Sequence, residues 1–257
     1  MSKYLDVAIK AVKRAEEIIL ECYEKETAVD LKADLTPVTI ADTEAQRIII
    51  DEIKKNFPDH GFLGEEKTDK SQSASEYTWI IDPIDGTKNY IRRIPLFATQ
   101  LALMHDNEIV VGVSNAPALN ELLYAEKGGG CFFNKVRTKV SKINKIDEAF
   151  MTFGAIHYFE DISKLKQLVT LSRKTRGHKG FGDCWSYHLL SEGKVDIVTE
   201  GKIKIWDIAA ASIIIEEAGG KMTDIYGNKI GVDTTTAVGT NGYLHDEVID
   251  LLNSTGK

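Results

Sequence analysis

The sequence predicts an α/β layered fold of α+β character, in one domain spanning residues 1–257. Three observations carry this expectation. Two stretches with apolar residues at helical spacing come first. A run of short apolar segments, separated by turn residues, follows them. Beyond about residue 145, helical and strand patterns alternate. No linker, low-complexity tract or repeat divides the chain. Residues 1–145, helices plus a largely antiparallel sheet, and residues 146–257, an α/β layer, are read as two parts of one body.

The elements follow in order. In residues 3–24, Leu5, Ala8, Ile9, Val12, Ala15, Ile18, Ile19 and Cys22 recur at helical spacing, which predicts a long amphipathic helix. Thr36-Pro37 breaks the chain. A second helix is expected from about Ala41–Thr43 to just before Pro58. "YTWIID" reads as a short strand. "FATQLALM" and "EIVVGVSNA" read as a hairpin around "HDN", and "ELLYAEKGGGCFFN" as two strands around a glycine turn. Then "DISKLKQLVTLSRKT" reads as helix, "DCWSYHLLSEG" as helix and "VDIVTE" as strand. "WDIAAASIIIEEAGG" reads as helix with a Gly-Gly stop, "TAVGTN" as strand and "YLHDEVIDLLN" as a closing helix.

Composition narrows the classes of function. The mix of 43% hydrophobic and 28% charged residues is an ordinary globular one. The net charge of −7 argues against broad nucleic-acid binding. Charges interrupt the apolar pattern of "MSKYLDVAIKAVKRAEE", so neither a signal peptide nor a membrane span is expected there. Cys22, Cys131 and Cys184 are odd in number and widely spaced, with no C-x-x-C. That fits a reducing compartment and no structural zinc. The expectation is a soluble cytoplasmic protein with no nucleic-acid or membrane partner.

The chemistry gathers in "WIIDPIDGTKNY". Asp82 ends a buried-looking apolar run, Pro83 stiffens the turn, and Asp85 comes just before Gly86 and Thr87. Upstream, "FLGEEK" offers Glu65. Downstream, Asp207 opens a helix. Hard divalent cations take oxygen ligands, and Mg²⁺ is held by a few carboxylates plus substrate phosphate oxygens. Two such ions would need one bridging carboxylate and several others. Amides around Gly86 and Thr87 would hold a phosphate. The residues alone leave a plain alternative open: two acids and a glycine also make an ordinary turn.

"GEE", "WIIDPIDGT" and "WDIAAASIIIEEAGG", in that order and with "PVTIADTEAQ" near the start, resemble the inositol monophosphatase family of magnesium-dependent, lithium-sensitive phosphatases. The resemblance covers nearly the whole chain. It implies an α-β-α-β-α layered sandwich and two to three Mg²⁺ ions, with Li⁺ inhibitory. It assigns the first ion to Glu65, Asp82 and the carbonyl of Ile84, and the second to Asp82, Asp85 and Asp207. A third, weaker ion would lean on Glu65. Gly86 and Thr87 would hold the phosphate, and Asp42 with Thr87 would orient a metal-activated water that attacks phosphorus directly. A homodimer is also implied. Metal loading should fail at acidic pH.

Within the family, "DGTKNYIRRIPLFATQLALM", "SNAPALNELLYAEKGGGCFFN" and "GFGDCWSYHLLSEGKVDIVTE" resemble the histidinol-phosphate phosphatase branch. The expected reaction is hydrolysis of L-histidinol phosphate in histidine biosynthesis. Inositol 1-phosphate, a sugar phosphate or 3'-phosphoadenosine phosphate are the alternative substrates. Glu65, Ile84, Asp85, Gly86, Thr87, Lys179, Asp183, Glu200 and Asp207 form the expected substrate site. Asp183 and Glu200 would face the substrate amine, although Asp183 also reads as a helix N-cap. Lys179 stands where that branch usually has arginine, and a lysine is a point charge rather than a bidentate fork.

Three rivals fare worse. A haloacid-dehalogenase-type phosphatase puts one residue between its acids, whereas two, Pro83 and Ile84, stand here. "CFFNKVR", Cys131 to Arg137, matches C-x5-R formally, but Phe132, Phe133 and Val136 read as strand residues and Cys131 as a packed hydrophobe. A non-catalytic scaffold would not need every acid together with Thr87. No G-x-S-x-G or H-E-x-x-H occurs. His188 is expected to pack on its helix, with His157 and His178 in loops. Gly128–Gly130 is expected to be a hairpin turn.

Overall fold

The computed structural model describes residues 1–25, 29–31, 37–66 and 75–254. Helix α1 (Lys3–Glu24) buries Leu5, Ala8, Val12, Ala15 and Ile19 along one stripe, and Ser2 Oγ caps it by accepting from the Leu5 N–H. β1 (Val29–Leu31) and β2 (Pro37–Thr39) form an antiparallel ribbon. Thr36, half of the expected Thr36-Pro37 break, lies outside the described residues. α2 (Ile40–Asn56) follows. Its Asp42 accepts from the Thr39 backbone N–H and hydroxyl, both at 2.7 Å, which ties down the first turn.

A seven-stranded sheet comes next. Its strands are β3 (Gly61–Gly64), β4 (Tyr77–Asp85), then after the short α3 (Thr87–Ile91) β5 (Ala98–His105), β6 (Glu108–Ala116), β7 (Glu121–Glu126), β8 (Gly130–Phe133) and β9 (Val136–Thr138). They lie in sequence order; β3 and β4 are parallel and every other pairing is antiparallel. Asp106 and Asn107, both at positive φ, close the β5–β6 hairpin where "HDN" predicted one. The glycine turn between β7 and β8 also forms. Its Gly128 and Gly130 amides donate to the Glu217 carboxylate at 2.6 and 2.7 Å, so a side chain of the same protein occupies this anion position.

The second part comprises β10 (Phe150–Phe153), α4 (Ile156–Asp161), α5 (Leu165–Lys174), β11 (Gly177–Lys179), α6 (Asp183–Ser191), β12 (Ile197–Gly201), α7 (Ile205–Glu217), β13 (Lys221–Thr223), β14 (Thr236–Thr240) and α8 (His245–Asn253). Its five strands run in the order β11-β10-β12-β14-β13. Two expectations need correction. The helix expected from Asp161 begins only at Leu165, after the separate α4. His157 and His178 lie in α4 and β11 rather than in loops.

Three cores define the layers. Trp79, Ile81, Leu101 and Val113 of the large sheet pack on α1 and α2. Ile80, Ala102 and Leu123, on its other face, meet Ile208, Ala209 and Ile213 of α7 and Leu190 of α6, together with Val198 and Ala237 of the small sheet. The outer face of that sheet, with Met151, Ile197 and Val238, packs on Phe159, Leu168, Leu171, Val248 and Leu252 of α4, α5 and α8. The result is an α-β-α-β-α sandwich. Because α7 lies between two sheets, it is apolar nearly all round. It approaches β6 so closely that a Cβ at Gly112 would sit 2.6 Å from Ala210 O. No helix among the described residues is long and apolar enough to cross a membrane.

Candidate active site

In a regular strand Asp82 and Asp85, three positions apart, would point to opposite faces. A bulge removes the conflict. Asp82 pairs with Gln100 and Asp85 with Ala98, so Pro83 and Ile84 together oppose Thr99 alone. Thr99 Oγ1 donates to Pro83 O at 2.9 Å, and the Ile84 N–H donates to Asp82 Oδ1 at 3.0 Å, which hold the kink. Both carboxylates now line one cleft of about 410 Å³. Gly86 turns the chain at φ +87°, and a Cβ there would lie 2.9 Å from Leu96 O. Thr87 then opens α3, its hydroxyl donating to Ile84 O at 3.1 Å.

The other acids arrive from separate elements. Parallel pairing of β3 with β4 brings Glu65 alongside, its N–H donating to Ile81 O at 3.0 Å. Asp207 is the third residue of α7 and accepts from the Lys204 N–H at 2.7 Å. Glu200 comes from β12 and Asp183 from the start of α6. Glu65, Asp82, Ile84, Asp85, Gly86, Thr87, Asp183, Glu200 and Asp207 all line the cleft. Two expected residues do not. Lys179 is exposed at the end of β11, and Asp42 is buried at the start of α2.

Asp183 is not the cap of its helix. Gly182 occupies the N-cap position, and Asp183 is the first residue of α6, at φ +50°. Its Oδ2 accepts from Asn89 Nδ2 at 3.4 Å. Sequence reasoning missed Lys88, Asn89, Tyr158 and Lys202 in the cleft wall, and Tyr187 beneath it. Lys88 and Asn89 follow Thr87 directly and so carried a signal. Tyr158 and Lys202 carried none, since only the stacking of β12 against α4 brings them in.

Burial and crowding set the electrostatics. Asp82 is 3% exposed, and burial first, then the charges of Glu65, Asp85 and Asp207, push its carboxyl well above the usual range. Burial, then Asp183 and Asp207, do the same to Asp85. Asp207 is pushed up to about 7, chiefly by burial, with the Lys204 amide opposing. Burial and the Asp183 and Asp207 charges raise Glu200 strongly, and its Oε1 is buried without a hydrogen-bond partner. Asp42 is pushed up to about 6 by burial, against the Thr39 hydrogen bonds. An all-oxygen set whose charges repel one another in a poorly solvated cleft fits a hard divalent cation. A different trio, Glu76, His105 and Asp106, brings three ligand atoms within 4.8 Å of one another; it does not line the cleft, and Glu76 and Asp106 are exposed.

Comparison with known proteins gives the family and the fold. The profile of the Inositol monophosphatase family matches residues 1–257. The chain belongs to the inositol monophosphatase family. It is therefore a phosphatase of that family, as the sequence motifs implied. It is 36% identical over 251 residues to a fructose-1,6-bisphosphatase/inositol-1-monophosphatase of Thermotoga maritima, covering 97% of this chain and 95% of the relative. It is 35% identical over 256 residues to a histidinol-phosphatase of Mycobacterium tuberculosis, covering 97% and 98%. Among solved structures, an extragenic suppressor protein suhB from Bartonella henselae superposes with TM-score 0.92 at 30% identity, covering 99% of this chain and all of that one. An inositol monophosphatase of Thermotoga maritima gives 0.89 at 35% identity, covering 98% and 97%.

Proposed function

We propose that this phosphatase hydrolyses a phosphate monoester with a cationic leaving group, L-histidinol phosphate, using Mg²⁺. Glu65, Asp82, the Ile84 carbonyl, Asp85 and Asp207 would hold the metal, which when bound supplies Lewis acidity to the phosphate and to water. The chain's own groups do the rest. Amides at Gly86 and Thr87 orient the phosphate. Thr87 Oγ1 gives its proton to Ile84 O and so keeps its lone pairs to accept from water. Glu65 completes the handling of that water. Asp42, buried outside the cleft wall with its carboxylate held by Thr39, takes no direct part in it.

One observation carries the choice of substrate. Glu200 presents a buried oxygen without a partner, and Asp183 faces the same cleft. Two carboxylates beside Asp85 and Asp207 suit a protonated amine better than hydroxyls. Relatives named histidinol-phosphatase at 35%, 34% and 33% identity support this reading. Inositol 1-phosphate or a sugar phosphate is the second reading. The Thermotoga relative's name favours it, as does Lys88, which opposes the Asp183 charge.

A phosphate-release panel across histidinol phosphate, inositol 1-phosphate, fructose bisphosphate and 3'-phosphoadenosine phosphate decides between them. A desolvated charge-assisted hydrogen bond is worth about 1.5–3 kcal/mol, so kcat/KM for histidinol phosphate should lead by roughly ten- to a hundredfold. Asp183→Ala should erase much of that lead. A wild-type preference for inositol phosphate would overturn the substrate and leave the family intact.

A further inference from the structure

Ser114, His188 and Glu121 form a buried chain of hydrogen bonds that the hydrolytic site does not use. Ser114 Oγ lies 2.7 Å from His188 Nε2, and His188 Nδ1 lies 3.0 Å from Glu121 Oε2. Trp185 Nε1 donates to the same Oε2 at 3.2 Å. A carboxylate only accepts, so neutral His188 carries its proton on Nδ1 and accepts from the Ser114 hydroxyl at Nε2. The polarity, serine to histidine to acid, is that of a nucleophile triad. Ser114, however, lies within β6 at 3% exposure and outside the cleft wall, where no ester reaches it.

The register shows what the network joins. Asp82 is opposite Gln100, and Gln100 is opposite Ser114. Opposed residues of an antiparallel sheet share a face, with side chains about 5 Å apart. A polar row therefore runs from the cleft acid across a face otherwise built of Ile80, Ala102 and Leu123, and His188 meets its far end. On α6, Trp185 and His188 are three apart and both reach Glu121. Asp183 and Tyr187, four apart, line the small cavity under the cleft. Glu200 lines the same small cavity. A slide or roll of α6 would carry Asp183 and Tyr187 with it and change what faces Glu200.

We propose that His188 is a positioning residue for leaving-group recognition. By pinning α6 between Ser114 and Glu121, it holds Asp183, Glu200 and Tyr187 in register with the acids on β4. It acts on discrimination between substrates and not on the hydrolytic step. The proposal rests on reading the cleft as a phosphomonoesterase site whose leaving group lies against α6. It does not depend on which leaving group that is.

The test compares wild type, His188→Ala, His188→Gln and Glu121→Gln. Each is assayed with the full-sized ester that wild type prefers and with ethyl phosphate, which reaches little of α6. His188→Ala should raise KM for the full-sized ester roughly tenfold, while kcat/KM for ethyl phosphate stays within about twofold. His188→Gln, able to restore one hydrogen bond, should recover part of the loss. His188→Ala combined with Glu121→Gln should be no worse than His188→Ala alone. Equal loss on both esters with a lower Tm would reduce His188 to a packing residue and overturn the proposal. So would an unchanged ratio in a folded variant. If His188→Ala does not fold, Glu121→Gln must still show the same KM split, or the proposal fails. A wild-type protein inactive on every ester would instead sink the phosphomonoesterase reading beneath it.

Discussion

Asp82→Asn should separate stability from activity. The carboxyl is buried beside Glu65, Asp85 and Asp207, which holds it protonated far above its ordinary value of 3.8. Keeping such a group neutral while the unfolded chain ionises it costs stability as pH rises above its ordinary range. Asparagine is neutral already and keeps an oxygen for the Ile84 N–H, so most of this cost disappears. The metal-free variant should therefore melt above wild type at pH 7. The gap should close towards pH 4, where both side chains are neutral. Mg²⁺ should stabilise wild type by mass action and leave the variant nearly unmoved. Turnover at saturating Mg²⁺ should fall at least about a thousandfold. Melting curves in EDTA and in Mg²⁺, with phosphate release alongside, check both halves. Near-normal turnover by the folded variant would refute the metal assignment. A lower Tm for the variant in EDTA at pH 7 would refute the electrostatics.

Other outcomes follow from the same site. Asp207 ordinarily titrates near 3.8 and is raised to about 7 in the fold, so the native state holds the extra proton between those values. Metal-free wild type should therefore lose stability as pH rises from about 4 to about 7. Mg²⁺, which needs the ionised form, should flatten that slope; melts showing the opposite trend in EDTA would contradict the assignment. Cys131→Ser should keep kcat within a small factor, because the thiol is buried and pushed up to about 12. Inactivation that tracks alkylation of Cys131, with substrate protecting, would revive a cysteine mechanism. Gly154→Ala puts a methyl group 1.7 Å from the present position of Glu200 Oε2 and must displace that carboxylate. The lead of the preferred substrate should shrink while ethyl phosphate hydrolysis persists, and an unchanged lead would show that Glu200 does not recognise the leaving group.

Much of the fold was legible because long elements carry long patterns. The predicted first helix, residues 3–24, has the bounds of α1, and "EIVVGVSNA" is β6. The strands β10, β11 and β13 were missed, since three or four residues are too few to show a period of two. The helix α4 was missed for a similar reason, being a single turn and a half whose burial rests on Phe159. In the site, the acids stood out because carboxylates at the end of an apolar strand are costly to bury and so demand a reason. Asp183 could not be separated from a helix cap without the backbone, and Tyr187 and His188 resembled ordinary helix packing.

The sequence by itself determined the residue types and their order: an apolar run into Asp82, Asp85 three residues further on, Gly86 and Thr87 behind them, and Glu65 and Asp207 far apart in the chain. These are local chemistry, and motif and hydrophobic period record them. The tertiary structure alone decided which way each side chain points. The two-against-one pairing with Thr99 turns Asp82 and Asp85 into one cleft. Stacking of the two sheets on α6 and α7 delivers Asp183, Glu200 and Asp207 to it. The register of β4, β5 and β6 sets Gln100 and Ser114 in line with Asp82, where His188 meets the row. Register and packing join residues far apart in sequence, and no local pattern records which strand lies beside which.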